Sequence, residues 1–232
     1  MTVSEAKTLI IKNATPYFES KGWQLKKLRR NEARFFYEDD HSLNFIGIST
    51  TNYNPEQLIG FGIGKRIKAV EDIMQEVNKA IPFQRTLEKE EPTLYLLDKG
   101  DSLKREDKSY CTTEEDIIYN LGKIFKYLND FALPLLEQFN DVREIDKRIN
   151  GEDHNFWAST HKKPFNLAHR FYLRRLIIAK LSGRKDYEEF INNHLQSIEK
   201  AAEEANEHFD RNDLSDELVY CIHLLNNVEP LY

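Results

Sequence analysis

One segment of the sequence combines the residue types that bind phosphate groups and nucleic-acid bases. Residues 154–185 contain eight Lys or Arg side chains, no Asp or Glu, and several aromatic side chains. Basic side chains contact phosphates and aromatic rings stack on bases, so this segment is a candidate surface for nucleic acid or a phosphate ligand. The candidate ligand-binding residues are Trp157, Lys162, Lys163, Arg170, Arg174 and Arg175.

The segment that follows carries the opposite charge. Residues 186–217 contain eleven acidic and two basic side chains. Hydrophobic periodicity predicts helices over 164–181 and 186–209, joined by a turn at Gly183, so the two segments form a helical hairpin. Basic and acidic edges of such a hairpin can pair within the molecule. Internal pairing is the favoured interpretation, and a surface that binds nucleic acid or an acidic partner is the alternative.

Arg175 differs in position from the other basic residues of its predicted helix. At about 100° per residue, the helix has one polar arc. The members of this arc are Asn166, His169, Arg170, Arg174 and Lys180. Arg175 falls on the opposite, apolar side, where an unpaired charge is very costly. We therefore predict a buried ion pair for Arg175, with Glu188 or Glu189 as the nearest candidates, and keep a ligand-binding arginine as the alternative.

The glycine-rich stretch 60–65 lacks the spacing of a phosphate-binding loop. The third glycine of a dinucleotide-binding motif is absent, and Ile59 and Arg66 break the pattern of the nucleotide-binding P-loop. Because the glycines alternate, they share one face of a strand, and a face without side chains lets a helix approach closely. We expect the helix of residues 113–140 to cover Gly60 and Gly62.

The remaining residues form no motif for catalysis or for binding a metal or cofactor. Two cysteines, Cys111 and Cys221, cannot supply a disulfide framework or a four-cysteine zinc site. His194 lies on the apolar stripe of its predicted helix, which indicates a hydrogen-bonded core histidine. We therefore predict no catalytic residue, no metal site and no cofactor. An enzyme whose active site is assembled from distant residues stays open as an alternative.

The composition is that of a soluble globular protein. Of 232 residues, 40% are hydrophobic and 31% charged, and the net charge is −6. These values exclude a disordered tail and a collagen-like chain. The apolar runs are far shorter than the roughly 18 residues that a membrane helix needs, and no secretory signal is evident. We expect a cytoplasmic protein that does not enter a membrane.

Local patterns predict an α+β fold. Thr2 and Glu5 have the spacing of a capping box, so an N-terminal helix begins there and ends at Lys21-Gly22. Pro16 within it predicts a kink or break near Thr15. The predicted strands are 23–30, 33–38, 43–51, 57–64 and 94–97. Short polar links favour an antiparallel sheet of four or five strands, on which the N-terminal helix packs. An all-helical C-terminal part follows. The polar stretch 83–110 suggests a sheet domain of 1–110 and a helical domain of 111–232.

A long amphipathic helix is predicted from Thr113 to Asn140. Thr113 is a good N-cap, and acidic residues follow it where the helix dipole favours negative charge. Leu121 and Leu128 lie at the centre of its apolar stripe, and Pro134 is expected to kink it. Further helices are predicted over 66–81, 142–149 and 215–226.

The order of motifs along the first 150 residues is the basis of a family resemblance. The motifs are Pro16 within a helix, Gly22-Trp23, Lys26-Lys27, the aromatic strand Arg34-Phe35-Phe36-Tyr37, the apolar strand Leu43–Ser49 and the later Leu133-Pro134-Leu135-Leu136. This order resembles a group of uncharacterised bacterial domain-of-unknown-function proteins, some of which look like immunity proteins that bind and block toxins. The resemblance implies a non-enzymatic protein-binding module. An acidic net charge suits a basic toxin as the partner.

Overall fold

The computed structural model describes residues 1–29, 31–81, 92–96, 110–151, 165–167, 170–204 and 211–232. The helices are α1 (Val3–Glu19), α2 (Lys68–Ala80), α3 (Glu114–Tyr127), α4 (Leu133–Gln138), α5 (Val142–Asn150), α6 (Phe171–Leu181), α7 (Tyr187–Glu204) and α8 (Arg211–Leu225). The strands are β1 (Gln24–Arg29), β2 (Glu32–Glu38), β3 (Ser42–Asn52), β4 (Gln57–Ile67), β5 (Leu94–Leu96), β6 (Tyr110–Cys111) and β7 (Phe165–Leu167). These elements confirm the predicted α+β class.

Strands that are consecutive in the chain are antiparallel neighbours in the sheet, as the short polar links predict. Strands β1 to β5 lie side by side in sequence order, and β6 also pairs with β4. In the pairing of β2 with β3, Phe35 lies opposite Ile46, and both side chains are buried. Residues directly opposite each other share a face of the sheet. One face therefore carries a continuous apolar layer.

Helix α1 packs on this apolar face of the sheet. Thr2 and Glu5 form the predicted capping box, and each side chain binds the backbone N–H of the other residue. Phe18 stacks on Phe35 of β2 with 4.1 Å between the ring centroids. The helix continues through Pro16 to Glu19, so the predicted break is absent. Buried side chains at helical spacing, and not propensity alone, stabilise it across the proline.

Contacts divide the chain into two compact units, each made of two stretches of sequence. The first unit consists of residues 1–66 and 94–137, and the second of residues 67–93 and 138–232. The chain thus leaves the first unit at α2, returns to it at β5, and passes into the second unit again at the end of α4. The predicted sheet domain of 1–110 and helical domain or subdomain of 111–232 stay a prediction.

The prediction that a helix covers the glycines of β4 is wrong for Gly62. Gly62 is exposed, and no described atom lies within 4 Å of the position that a Cβ would occupy there. Gly60 is half-buried beside the hydroxyl of Ser49. The residues of β4 that alternate with the glycines face the helices, since the ring of Phe61 contacts that of Tyr127 in α3. The bulky residues of the strand, and not the glycines, attract the helix because they bury more apolar area.

Helix α3 has the predicted buried stripe and then changes its winding. Leu121 and Leu128 are buried, as the sequence predicts. Residues Leu128–Ala132 form a π-helical turn, in which the N–H of Leu133 donates to the carbonyl of Leu128. Pro134 lacks an N–H and its ring collides with the carbonyl four residues earlier in a regular α-helix. The wider turn accommodates the proline.

Helix α6 lies at the centre of the second unit. It contacts α2, α5, α7 and α8. Eight of its residues are buried. The buried residues are Leu173, Arg174, Arg175, Leu176, Ile177, Ile178, Ala179 and Leu181. A helix enclosed in this way has no solvent-facing polar side. None of the helices in the described ranges combines the length and the apolar character needed to cross a membrane.

Candidate functional site

The structure places three of the six candidate ligand-binding residues together. Arg174 and Arg175 belong to α6, and Arg170 immediately precedes this helix. All three are buried. The other three candidates, Trp157, Lys162 and Lys163, lie outside the described residues.

Arg174 pairs with an acidic residue of α2. Its Nε and Nη2 each donate a hydrogen bond of 2.7 Å, one to each carboxylate oxygen of Glu71. The exposed fraction of Arg174 is 0%. The prediction that Arg174 lies on a solvated polar arc is therefore wrong. Arg170 and Arg174 of this arc are buried, because other helices surround α6 on several sides.

Arg170 binds three acceptors from an unusual backbone conformation. Its φ of 54° is in the left-handed region at the N-cap of α6. The guanidinium donates to the side chain of Asn78, to the carbonyl oxygen of Ile81 at 3.3 Å and to Glu217 at 2.6 Å. Glu217 also accepts a hydrogen bond from the hydroxyl of Tyr172. Burial and this bond to a carboxylate raise the pKa of Tyr172, so its hydroxyl stays protonated.

Arg175 is buried as predicted, and the partner that the structure shows is an amide. Its Nε donates to Oδ1 of Asn150 at 2.9 Å. The Asn150 amide nitrogen donates in turn to Asp146 at 2.7 Å. The candidate partners Glu188 and Glu189 are exposed. The network extends to Arg184, whose guanidinium lies 3.5 Å from Asp146.

This arrangement joins helices and leaves little positive charge for a ligand. Arg170, Arg174 and Arg184 contact Glu217, Glu71 and Asp146, respectively. A phosphate would have to displace these carboxylates from buried positions. These arginines pair within the protein, but their partners lie on α8, α2 and α5 and not on the next helix of the predicted hairpin. One partner, Glu217, belongs to the acidic segment 186–217, whereas Glu71 comes from a helix that sequence reasoning did not connect with α6.

A second buried polar cluster lies in the first unit, around Lys65. Its ammonium group donates to the hydroxyl of Ser42 at 2.9 Å and to Oδ1 of Asn44 at 3.0 Å. Ser42 in turn donates to Asp39. Burial lowers the pKa of Lys65 to about 8, against the attraction of Asp39 and Glu137.

A serine beside a lysine of lowered pKa has the components of a nucleophile and its general base. Here the exposed fractions are 0% for Ser42 and 1% for Lys65, so a substrate has no access to the hydroxyl. Sequence reasoning missed this cluster. The signal was the alternation of Ile59, Phe61, Ile63 and Lys65, which places the lysine on the apolar face of β4.

Both cysteines and His194 are buried in the interior of the protein. Cys111 and Cys221 are free and buried. Burial raises the pKa of Cys111 to about 11 and that of Cys221 to about 12, so both thiols stay protonated and are poor nucleophiles. His194 is buried, and its Nε2 lies 3.0 Å from the carbonyl oxygen of Tyr172, which confirms the predicted hydrogen-bonded core histidine. Over the ranges that the structure describes, no group of His, Cys, Asp or Glu side chains has a metal-binding arrangement.

The glycine face consists of Leu58, Gly60, Gly62 and Gly64 of β4 and the residues paired with them. Of these four residues Gly62 is exposed, Leu58 and Gly60 are half-buried and Gly64 is buried. At one end of the face, Tyr95 of β5 lies opposite Gly64 and is exposed. At the other end, Tyr110 of β6 lies opposite Leu58.

The second end of the glycine face carries two aromatic rings. The ring of exposed Tyr53 contacts the ring of Tyr110 edge to face, with 5.7 Å between the centroids. Tyrosines therefore lie at both ends of the glycine face, with the exposed Gly62 between them. Tyr119 of α3 is more exposed, at 64%, but the ammonium group of Lys123 lies over its ring.

No protein-family model, curated protein or solved structure matches this chain. The resemblance of residues 1–150 to uncharacterised bacterial proteins thus has the sequence motifs as its only support.

Proposed function

We propose that this protein is a non-enzymatic module that binds another protein through the glycine face of its sheet. The observation that carries the proposal is the open position at Gly62, where no described atom lies within 4 Å of an added Cβ. A strand without side chains lets a partner approach the backbone closely. Tyr95 and Tyr53 bound the glycine face and are exposed.

The residue types of this face are those of protein-binding surfaces. Tyrosine supplies a large, rigid contact area with a polar hydroxyl, and glycine and serine supply adaptable contacts. Tyrosine is also enriched among the residues that dominate binding energy at interfaces. Tyr53, Tyr95, Gly62 and Ser49 together provide this combination at one face of β3, β4 and their neighbours.

The buried chemistry supports a binding role over catalysis. Ser42 and Lys65 are closed to substrates, and Cys221 is buried and protonated. Arg170 and Arg174 bind carboxylates of the same unit. The side chains of these five residues are thus engaged inside the protein.

The net charge of −6 favours a basic partner, because complementary charge speeds association and excludes acidic partners. Together with the family resemblance, this charge leads us to propose a cytoplasmic immunity protein of a bacterium. Its partner is a basic toxin that it binds and blocks.

The experiment that tests this function uses the product of a toxin gene next to the gene for this protein. We expect a complex by isothermal titration calorimetry, a Kd that rises with salt concentration, and protection of cells from the toxin. A fluorescent single-stranded oligonucleotide tests the alternative of nucleic-acid binding through residues 154–185 in the same buffers. Tight, steeply salt-dependent binding of the oligonucleotide without binding of the toxin would favour that alternative.

A further inference from the structure

Helix α3 carries an exposed stripe on the side opposite its buried apolar residues. Two large side chains of the stripe are exposed, Ile118 at 49% and Tyr119 at 64%, although both would gain by burial. The α3 stripe consists of Glu115, Ile118, Tyr119, Gly122 and Lys126, which are all exposed. Members three or four residues apart are neighbours on a helix surface, so the stripe runs along one side of α3.

Gly122 leaves a gap in the middle of the α3 stripe. Glycine is the least favourable residue in a helix interior apart from proline. No described atom lies within 4 Å of the position that a Cβ of Gly122 would occupy, so packing inside the described chain does not account for the glycine. The exposed ring of Tyr119 lies three residues earlier, on the same side of the helix. The stripe therefore places a large ring beside a gap, and a second copy of the same stripe has the complementary shape.

The two ends of the α3 stripe carry opposite charges. Glu115 lies in the first turn of α3 and Lys126 in its last turn, equally far from the midpoint of the stripe. Tyr119 and Gly122 are also equally far from this midpoint. In a contact with two-fold symmetry, residue i of one copy meets residue j of the other and the reverse. We propose that the α3 stripe binds the α3 stripe of a second copy of this chain in antiparallel orientation. Each Tyr119 then packs on the gap at Gly122, and each Glu115 meets Lys126, whereas a parallel pair would place like charges together.

The contacts that the stripe makes within its own chain are compatible with this pairing. Lys126 binds Asp130 four residues later, and such exposed pairs contribute little, so the exchange of partners is inexpensive. The ammonium group of Lys123 lies 4.5 Å from the centre of the Tyr119 ring. A lysine stem covers apolar surface while its charge stays in water. The same symmetry places the stem of Lys123 against Ile118 of the second copy.

The proposed dimer leaves the glycine face accessible. The residues of β4 that alternate with the glycines face α3, so the α3 stripe and Gly62 lie on opposite sides of the sheet. A stripe on one helix is smaller than the about 800 Å² per partner of a standard interface. We therefore expect a weak dimer, with a Kd between about 10 μM and 1 mM.

Sedimentation equilibrium of the full chain tests the dimer without any other partner. We expect the wild type to pass from monomer towards dimer as its concentration rises from about 10 μM to 1 mM. Gly122→Arg fills the gap and should weaken the dimer at least about tenfold. Gly62→Arg is the matched control, because it also adds a side chain at an open glycine, and it should leave the Kd of the dimer unchanged. A wild type that stays monomeric at about 1 mM, or equal dimer affinities of the two variants, would contradict the proposal.

Charge reversal tests the antiparallel orientation. Glu115→Lys alone places lysines opposite each other, and Lys126→Glu alone places glutamates opposite each other. Each single variant should weaken the dimer at least about threefold, because the symmetric contact contains the pair twice. The double variant restores opposite charges and should return the Kd to within about twofold of that of the wild type.

This rescue is distinguishable from a loss of folding. Both reversals oppose the helix dipole, so damage to α3 would be largest in the double variant. A double variant that binds more weakly than both single variants would refute the antiparallel pairing. Single variants that dimerise as well as the wild type would also refute it.

Discussion

Removal of the Lys65 ammonium group is expected to change how the free energy of unfolding depends on pH. Burial lowers the pKa of Lys65 from 10.5 to about 8, although Asp39 and Glu137 attract the charged form. In the unfolded chain the group regains its ordinary pKa. Between about pH 8 and pH 10.5 the unfolded state therefore binds more protons than the native state, and stability rises with pH.

The size of this effect follows from the shift. One pKa unit corresponds to about 1.4 kcal/mol, so the shift of Lys65 corresponds to about 3 kcal/mol. In Lys65→Met the ionisation is absent, while the loss of the hydrogen bonds to Ser42 and Asn44 is independent of pH in this range. The free energy of unfolding of the wild type minus that of Lys65→Met should therefore increase by about 3 kcal/mol from neutral pH to pH 10.5.

Urea denaturation of both proteins at a series of pH values measures this difference. Titration of the cysteines and tyrosines occurs in both proteins and cancels. Lys126→Met is the matched control, because the Lys126 side chain is 79% exposed. Equal pH slopes for the wild type and Lys65→Met would refute the lowered pKa of the buried Lys65.

Three further predictions concern the interior of the protein. Leu121→Ala and Leu128→Ala should each lower the free energy of unfolding by about 2–5 kcal/mol, and an unchanged urea midpoint would show that the stripe of α3 is not packed as described. Arg174→Met should cost about 3–5 kcal/mol because it leaves a buried carboxylate unpaired, and calorimetry should show a clear fall in Tm. Cys111 and Cys221 should react with a thiol reagent only in the unfolded protein, since both are buried, and fast labelling of the native protein would contradict their burial.

The local elements could be predicted because their signals lie within a few residues. The capping box at Thr2 and the N-cap at Thr113 begin α1 and α3 as expected. Short polar links helped to identify the strands, together with alternation in β1 and β4, aromatic residues in β2 and β-branched residues in β3. Gly22 has the positive φ that ends α1. In each case the decisive interaction joins neighbours in sequence.

Burial on all sides of a helix could not be predicted in the same way. The angular position of Arg174 on a helical wheel indicates a side of α6, but not whether another helix covers that side. Glu71 lies 103 residues earlier in sequence, so nothing local connects it with Arg174. The environment of α6 depends on α2, which the chain brings into the second unit from the middle of the first.

The glycine face and the Lys65 cluster show the limits of face assignment. Alternation correctly separated the glycines of β4 from Ile59 and Phe61, but it does not state which face the helices cover. The helices cover the face that carries the apolar side chains Ile59, Phe61 and Ile63, since burial of these larger side chains is more favourable. The same principle predicts that Lys65, which lies on this apolar face, is buried and needs the partners that Ser42 and Asn44 provide.

The most direct test of the proposed binding face compares two glycine substitutions. Gly62 on the glycine face and Gly122 on α3 are both exposed, with no described atom within 4 Å of an added Cβ. Circular dichroism should show that Gly62→Arg and Gly122→Arg both fold. By calorimetry with the basic toxin partner, we expect Gly62→Arg to weaken binding at least about tenfold and Gly122→Arg to leave the Kd unchanged. Equal affinities of the two variants would contradict binding at the glycine face.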